Sequence, residues 1–177
     1  MGSRMNKKEQ NLVLIIQIIL ISAIFGFVYE TVFYRIDLGY FVKRGYTIGP
    51  WLPIYATGGL LIYLINKNNK DNILKVFILS ALVCGTLEYI VGYLLFNISN
   101  IRLWDYNTEI LNYGNIEGFV CLRSVLFFGL SGVFLMNMIL PKIKEWIRVH
   151  KNQKIKYITI FIGGLFIIDF IINYIMK

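Results

Sequence analysis

The chain has 177 residues, of which 57% are hydrophobic, and its formal net charge at pH 7 is +8. The apolar residues form runs long enough for membrane helices, which need roughly 20 residues to cross the hydrocarbon core. These runs lack the period-two alternation of a membrane β-barrel, so we predict an all-α integral membrane protein. Because the basic residues cluster between the runs, we interpret them as topology signals and not as a nucleic-acid-binding surface.

The apolar runs predict five membrane spans. The segment MGSR before Met5 is typical of an expression tag, so residues 1–10 are read as tag and cytoplasmic N-terminus. The second span is short, and we expect it to begin as a broken or partly re-entrant segment, since Pro50 and Pro53 block regular helix at its start. The predicted spans cover residues 11–34, 50–66, 73–96, 120–140 and 156–176.

The first four spans form a predicted core over residues 11–141, with outer loops at residues 35–49 and 97–119. A basic cytoplasmic linker at residues 142–155 separates this core from a fifth transmembrane helix at residues 156–177. Twelve Lys and Arg residues fall on the N-terminal side of the predicted membrane and six on the opposite side. The excess of positive charge on the N-terminal side predicts an N-in, C-out orientation.

Two glutamates lie within predicted spans, Glu30 in the first and Glu88 in the third. Each shares a helix face with small residues, which permit close helix packing in lipid, so both carboxylates should face protein. The small residues are Ser22 and Gly26 in the first span and Ala81, Gly85 and Gly92 in the third. A charge at this depth is costly, and Arg123 is the nearest candidate counter-ion for Glu88 by depth. This pair would be either a structural clamp or part of a ligand or proton site.

Three other features carry candidate residues. The segment RGYTIGPWLPIY at residues 44–55 supplies Arg44, Tyr46 and Tyr55 at the outer membrane edge. The long loop contains the sequence RLWDY, whose last three residues form either a lid that grips a polar headgroup or part of an interfacial aromatic belt. Asp169, with Asn173 one turn later, is a helix-packing contact, an oligomer contact or a functional group.

No pattern in the sequence indicates a cofactor, a metal site or a nucleotide-hydrolysing motif. Cys84 is predicted at mid-membrane and Cys121 near the outer edge, so their depths argue against a disulfide. If the protein belongs to an ATP-driven machine, the ATPase must be a separate chain.

Several motifs in a fixed order indicate a family. Glu30 is followed by RGYTIGPWLPIY, by LEYIVGYLL at residues 87–95, by WDY at residues 104–106 and by VCL at residues 120–122. Over about residues 20–141 this order resembles the CmpB-like ABC-transporter type IV family of bacterial membrane permeases. The chain departs from the family pattern at Ala56 and Thr57, where glycine is common, and in the residues before VCL, so Arg123 would replace a family arginine one turn deeper.

The resemblance implies a set of motif residues but no substrate. We assign Glu30, Arg44, Tyr55, Glu88, Trp104, Asp105 and Tyr106 to a substrate-binding pocket, and we add Tyr46 and Arg123 to it from their positions. The remaining motif residues, Gly45, Gly49, Pro50, Pro53, Gly92 and Cys121, are expected to shape the backbone or the packing.

Three functions fit this pattern. The protein is a permease-like or substrate-binding subunit with an outward-facing polar pocket, an intramembrane enzyme for a lipid-linked or amphiphilic substrate, or a non-catalytic sensor or assembly subunit. The expected partners are membrane lipid, a separate ATPase subunit and a second copy of the chain, with no nucleic acid. The expected location is the bacterial cytoplasmic membrane, as a multi-pass protein. A weak internal sequence similarity also suggests that the first two spans and the next two form a parallel repeat.

Overall fold

The computed structural model describes residues 4–175 of the chain, and side chains as far as Asn173. These residues form helices and loops with only isolated β-bridges, which confirms the all-α prediction. The helices are α1 (Lys7–Leu38), α2 (Pro53–Asn66), α3 (Ile73–Ser99), α4 (Leu122–Phe134), α5 (Leu140–Val149) and α6 (Gln153–Phe170). Two π-helical segments, Leu135–Ile139 and Ile171–Ile175, join α4 to α5 and follow α6.

Within the described residues, four helical stretches are long and apolar enough to cross a membrane. They are Lys7–Leu38, Ile73–Ser99, Leu122–Val149 and Gln153–Asn173. The protein is therefore a multi-pass membrane protein. Helix α2 has only 14 residues, about 21 Å at 1.5 Å per residue. It begins at Pro53, after residues 50–52 that are not helical. The predicted shortness of the second apolar segment is thus confirmed, and its crossing of the membrane stays a prediction.

The fourth span continues further than its sequence suggests. The helical stretch Leu122–Val149 contains α4, the first π-helical segment and α5, so most of the predicted basic linker is a helical extension of this span. Helix α6 begins at Gln153, where the Asn152 side chain accepts a hydrogen bond from the Ile155 amide at 3.0 Å. Such an N-cap satisfies an amide that has no partner within the helix.

Contacts between the helices establish their directions. Along α2, Tyr55 packs on Gly26 and Gly59 packs on Ser22, so α2 runs antiparallel to α1. Helix α3 is likewise antiparallel to α2 and to α4. Helix α6 runs parallel to α1, since Lys156 Nζ lies 2.7 Å from Glu9 Oε1 and Gly163 packs on Ile16 further along both helices. The loops at residues 39–52 and 100–121 therefore lie at one end of the bundle, which we name the long-loop end.

The apolar core occupies the other half of the bundle, toward the short connections at residues 67–72 and 150–152. Its buried members include residues from four different helical segments. They are Val13 and Ile18 of α1, Ile62 of α2, Val76 of α3 and Met136 of the first π-helical segment. This half is mainly apolar, although the buried Asn66 and Ser80 side chains lie in it and hydrogen-bond to each other at 3.2 Å. The ionisable groups buried between helices α1 to α4 are concentrated toward the long-loop end.

The two helical hairpins, α1–α2 and α3–α4, share one backbone feature. Each long loop contains a glycine in the left-handed region shortly before the returning helix, Gly45 with φ of 69° and Gly118 with φ of 80°. Glycine adopts this conformation without the steric penalty of a side chain. The shared feature is what a parallel two-helix repeat would produce, and the repeat itself stays a prediction.

The contact between Gly26 and the Tyr55 ring generates a stability prediction. A Cβ atom at Gly26 would overlap this ring, whereas one at Gly164 on α6 would meet nothing within 4 Å. We expect Gly26→Ala to lower the free energy of unfolding by about 1–3 kcal/mol, the usual cost of overpacking. Gly164→Ala is the matched control and should be neutral or slightly stabilising. Thermal unfolding in detergent measures both, and equal melting temperatures would contradict the close α1–α2 contact.

Candidate functional site

A cavity of about 150 Å³ lies between helices α1 to α4, and we name it the central cavity. Toward the apolar core its wall is formed by side chains such as Ile62 and Phe134. Toward the long-loop end its lining contains three carboxylates, four tyrosines and one arginine. These are Glu30, Glu88, Glu109, Tyr29, Tyr34, Tyr55, Tyr106 and Arg123. The cavity is thus apolar at one end and strongly polar at the other.

The first ion pair of the site joins α1 to the loop at residues 39–52. Arg44 Nε donates to Glu30 Oε2 at 2.8 Å, and the Arg44 guanidinium lies over the Tyr34 ring, 3.6 Å from its centre. Burial acts to lower the pKa of Arg44, but Glu30 and Tyr34 offset this effect, and the pKa is raised overall. The guanidinium therefore remains charged beside Glu30.

The second ion pair joins the long loop to α4. Arg123 Nη2 donates to Glu109 Oε2 at 2.5 Å, and the Tyr34 hydroxyl donates to Glu109 Oε1. The predicted pairing of Arg123 with Glu88 is therefore wrong. The loop folds back into the bundle and buries Glu109, which is 8% exposed, so a carboxylate distant in sequence occupies the position next to Arg123.

Glu88 is the one buried carboxylate of the central cavity with no cation beside it among the described residues. Its Oε1 accepts a hydrogen bond from the Tyr106 hydroxyl at 2.6 Å, whereas its buried Oε2 has no partner there. The neighbouring Ser124 hydroxyl donates instead to the Cys121 carbonyl oxygen at 2.8 Å. Burial and the nearby Glu88 carboxylate raise the pKa of Tyr106 well above its ordinary value, so the phenol stays protonated and donates.

Arg123 has similar unused hydrogen-bonding capacity. Its Nη2 is occupied by Glu109, but its buried Nε and Nη1 have no hydrogen-bond partner in the described part of the chain. One face of the guanidinium lies 3.8 Å from the centre of the Phe33 ring. The central cavity therefore contains an unpaired acceptor on Glu88 and unpaired donors on Arg123.

A second cavity of about 540 Å³ adjoins the central cavity at the long-loop end. Glu30, Ile54, Leu87 and Trp104 line both cavities, so they form the wall between them. The Trp104 side chain is fixed by a 2.9 Å hydrogen bond from its Nε1 to the Phe119 carbonyl oxygen. A Cβ atom at Gly92 would lie 3.2 Å from the Trp104 ring, so glycine permits this close packing on α3.

Asp169 of α6 holds the backbone of the loop at residues 39–52. Its carboxylate accepts hydrogen bonds from the Ile48 amide at 2.9 Å, the Gly49 amide at 2.8 Å and the Trp51 indole at 2.8 Å. The Asn173 side chain donates to the same carboxylate at 2.7 Å. Asp169 therefore makes a structural contact within the chain, with a loop and not with another helix, and its role as a functional group stays a prediction.

The structure distributes the predicted pocket residues over three places. Glu30, Tyr55, Glu88, Trp104, Tyr106 and Arg123 line the central cavity, and Arg44 and Tyr46 line the second. Asp105 lines neither cavity; it accepts hydrogen bonds from the backbone and side-chain nitrogens of Asn107 at 3.0 and 2.7 Å and shapes the long loop. The described residues contain no group of three side chains suited to a metal ion.

Sequence reasoning missed two residues of the site, Tyr34 and Glu109. Tyr34 could have been found, because it extends the four-residue spacing of Gly26 and Glu30 along the same face of α1. Glu109 could not, because it lies in an irregular loop where no periodicity indicates which side chains turn inward.

The pair formed by Glu109 and Arg123 generates a second prediction. Glu109→Gln leaves the buried guanidinium without its counter-ion, and we expect a loss of about 3 kcal/mol of unfolding free energy. Glu117→Gln, on an exposed residue of the same loop, is the matched control and should change stability by less than about 0.5 kcal/mol. Thermal or denaturant unfolding in detergent checks both variants. Adding Arg123→Met to Glu109→Gln should recover part of the loss, and no recovery would argue against the pair.

The contacts of Asp169 generate a third prediction. Asp169→Asn removes the charge and at least one of the three hydrogen bonds that the carboxylate accepts from the loop. The loop should therefore loosen, and trypsin should cleave faster after Lys43 and Arg44. Asp71→Asn at the opposite end of the bundle is the control with the same chemical change. Timed proteolysis with peptide mapping measures the rates, and equal rates in both variants would contradict the proposed hold on the loop.

Comparison with known proteins identifies the family of the chain. The family model described as "Putative ABC-transporter type IV" matches residues 17–174. The match continues through α6, beyond the region that carries the motifs. No curated protein and no solved structure matches the chain significantly. On the family model, which covers most of its length, the chain belongs to the ABC-transporter type IV family.

Proposed function

We propose that the protein is a permease-like membrane subunit that binds a small polar substrate in the central cavity. The observation that carries the proposal is the unused hydrogen-bonding capacity inside this cavity. Glu88 Oε2, Arg123 Nε and Arg123 Nη1 are all buried and unpartnered within the described residues. A buried polar group without a partner costs free energy, and the cost is high for charged groups.

The balance of charge indicates what the substrate supplies. Glu30 is paired with Arg44 and Glu109 with Arg123, so Glu88 is left without a cation in the described part of the site. A substrate with an ammonium or hydroxyl donor would satisfy Glu88, and an acceptor oxygen on the same molecule would satisfy Arg123. A small zwitterion or hydroxylated carbonyl compound has both groups.

The family and the charge pattern support the remaining parts of the proposal. An ABC-transporter family suggests association with other transporter subunits, and we propose a separate ATPase chain together with a homodimer of this chain. The excess of Lys and Arg on the N-terminal side supports an N-in orientation in a bacterial cytoplasmic membrane. In this orientation the long-loop end, and with it the polar end of the central cavity, faces outward.

The two cysteines provide a direct test, because they are equally buried but differently placed. Cys84 is 3% exposed and lines the central cavity, whereas Cys121 is 1% exposed and is not part of its lining. If the cavity opens outward, a charged, membrane-impermeant thiol reagent added to intact cells should label Cys84 in a Cys121→Ser background. Serine is a favoured N-cap residue, so this background should fold. Mass spectrometry of the purified protein measures the labelling.

The variant Cys84→Ser, which retains only Cys121, is the matched control and should stay unlabelled. Labelling of Cys84 only after denaturation would overturn the outward-opening cavity and favour a purely structural role for its polar groups. Equal labelling of both cysteines would indicate general loosening of the bundle and would also contradict the proposal.

A further inference from the structure

The second cavity combines a basic rim with an apolar wall. Lys43 and Arg44 come from one long loop and Arg102 from the other, and all three line the cavity at the long-loop end. The wall includes Leu87 and Val91, with Leu95 next along the same face of α3. Residues spaced by four lie on one face of a helix, and these three span about 12 Å along it.

The charges on this rim are only partly neutralised. Arg44 pairs with Glu30, and Arg102 lies 3.4 Å from Asp105. Lys43 has no acidic partner among the described residues and is exposed to solvent. Glu30 is the one acidic residue in the described lining, against three basic residues. The rim is therefore positive overall and suits an anionic group.

We propose that the second cavity binds an anionic phospholipid of the leaflet at the long-loop end. The phosphate lies between Lys43 and Arg102, and one acyl chain follows the stripe formed by Leu87, Val91 and Leu95. Charge complementarity selects the anionic headgroup, and the stripe accounts for the chain, which a free phosphate ion would not use. The inference is independent of transport, since it requires only a lipid at this surface.

The position of the cavity gives the lipid a direct relation to the central cavity. Glu30 and Trp104 belong to the wall between the two cavities. A chain lying along Leu87 would contact this wall from the side opposite to the polar substrate. The lipid would therefore support the position of Glu30 and Trp104 without entering the central cavity.

Native mass spectrometry of the full chain in detergent tests the headgroup. The probes are phosphatidylglycerol, phosphatidylcholine with the same acyl chains, and inorganic phosphate as a competitor. We expect phosphatidylglycerol to bind more tightly than phosphatidylcholine, and Lys43→Gln to weaken its first binding step about fivefold, the usual effect of one lysine near an anionic lipid. Lys67→Gln, an exposed lysine at the opposite end of the bundle, is the matched control and should bind as the unmodified chain does.

A second pair of variants tests the acyl-chain stripe. Val91→Trp fills the stripe, and Leu94→Trp adds the same side chain at a position on α3 that is 46% exposed. We expect the first variant to lose most phosphatidylglycerol binding and the second to keep it, with melting temperatures reported for both. If Val91→Trp fails to fold, the Lys43→Gln titration decides the question.

Three results would overturn the proposal. They are equal binding of the two lipids, unchanged affinity in Lys43→Gln, and full competition by inorganic phosphate, which would indicate an anion site without a lipid chain. Equal binding by folded Val91→Trp and Leu94→Trp would remove the acyl-chain part of the assignment. None of these measurements involves substrate or Cys84 labelling. A result that overturns the lipid proposal would therefore not count against the proposed function, which the Cys84 labelling tests separately.

Discussion

Glu109 connects two helices that the chain itself places far apart. Its carboxylate accepts hydrogen bonds from Tyr34 of α1 and from Arg123 of α4, so one loop residue joins the first and fourth helices of the core. In a bilayer a guanidinium at this position would be very unfavourable without an anion. The long loop must therefore fold back into the bundle for α4 to hold Arg123 there, and the shape of the central cavity depends on this requirement.

Tyr34 also links the two ion pairs of the site. Its hydroxyl donates to Glu109, while its ring lies beneath the Arg44 guanidinium that is paired with Glu30. The two pairs are thus one connected network, in which a change at either carboxylate would alter the hydrogen bonding of the other. Glu88 stands outside this network, bound only to Tyr106 among the described residues. Within the described residues, therefore, Glu88 is not part of the ion-pair network that joins the helices.

The sequence was most informative where the membrane imposes a strict pattern. Long apolar runs predicted the spans, and the four-residue spacing of Ser22, Gly26 and Glu30 correctly indicated the face of α1 that packs on α2, because close helix contact in lipid requires small residues. The partner of Arg123 was predicted wrongly because depth in the membrane was the sole guide. An irregular loop has no period from which the direction of its side chains can be deduced, so the position of Glu109 depends on tertiary packing.

Helix α6 is more closely connected to the rest of the bundle than its sequence suggested. Its sequence, set apart by a basic segment, suggested an addition to a four-span core, but the family match includes it. Asp169 on α6 fixes the amides of Ile48 and Gly49, in the loop whose Arg44 pairs with Glu30. A shift of α6 along its axis would move this loop and draw Arg44 away from Glu30. The last helix is therefore connected to Glu30, in the wall of the central cavity, through the loop at residues 39–52, although it contributes no side chain to the cavity lining in the described structure.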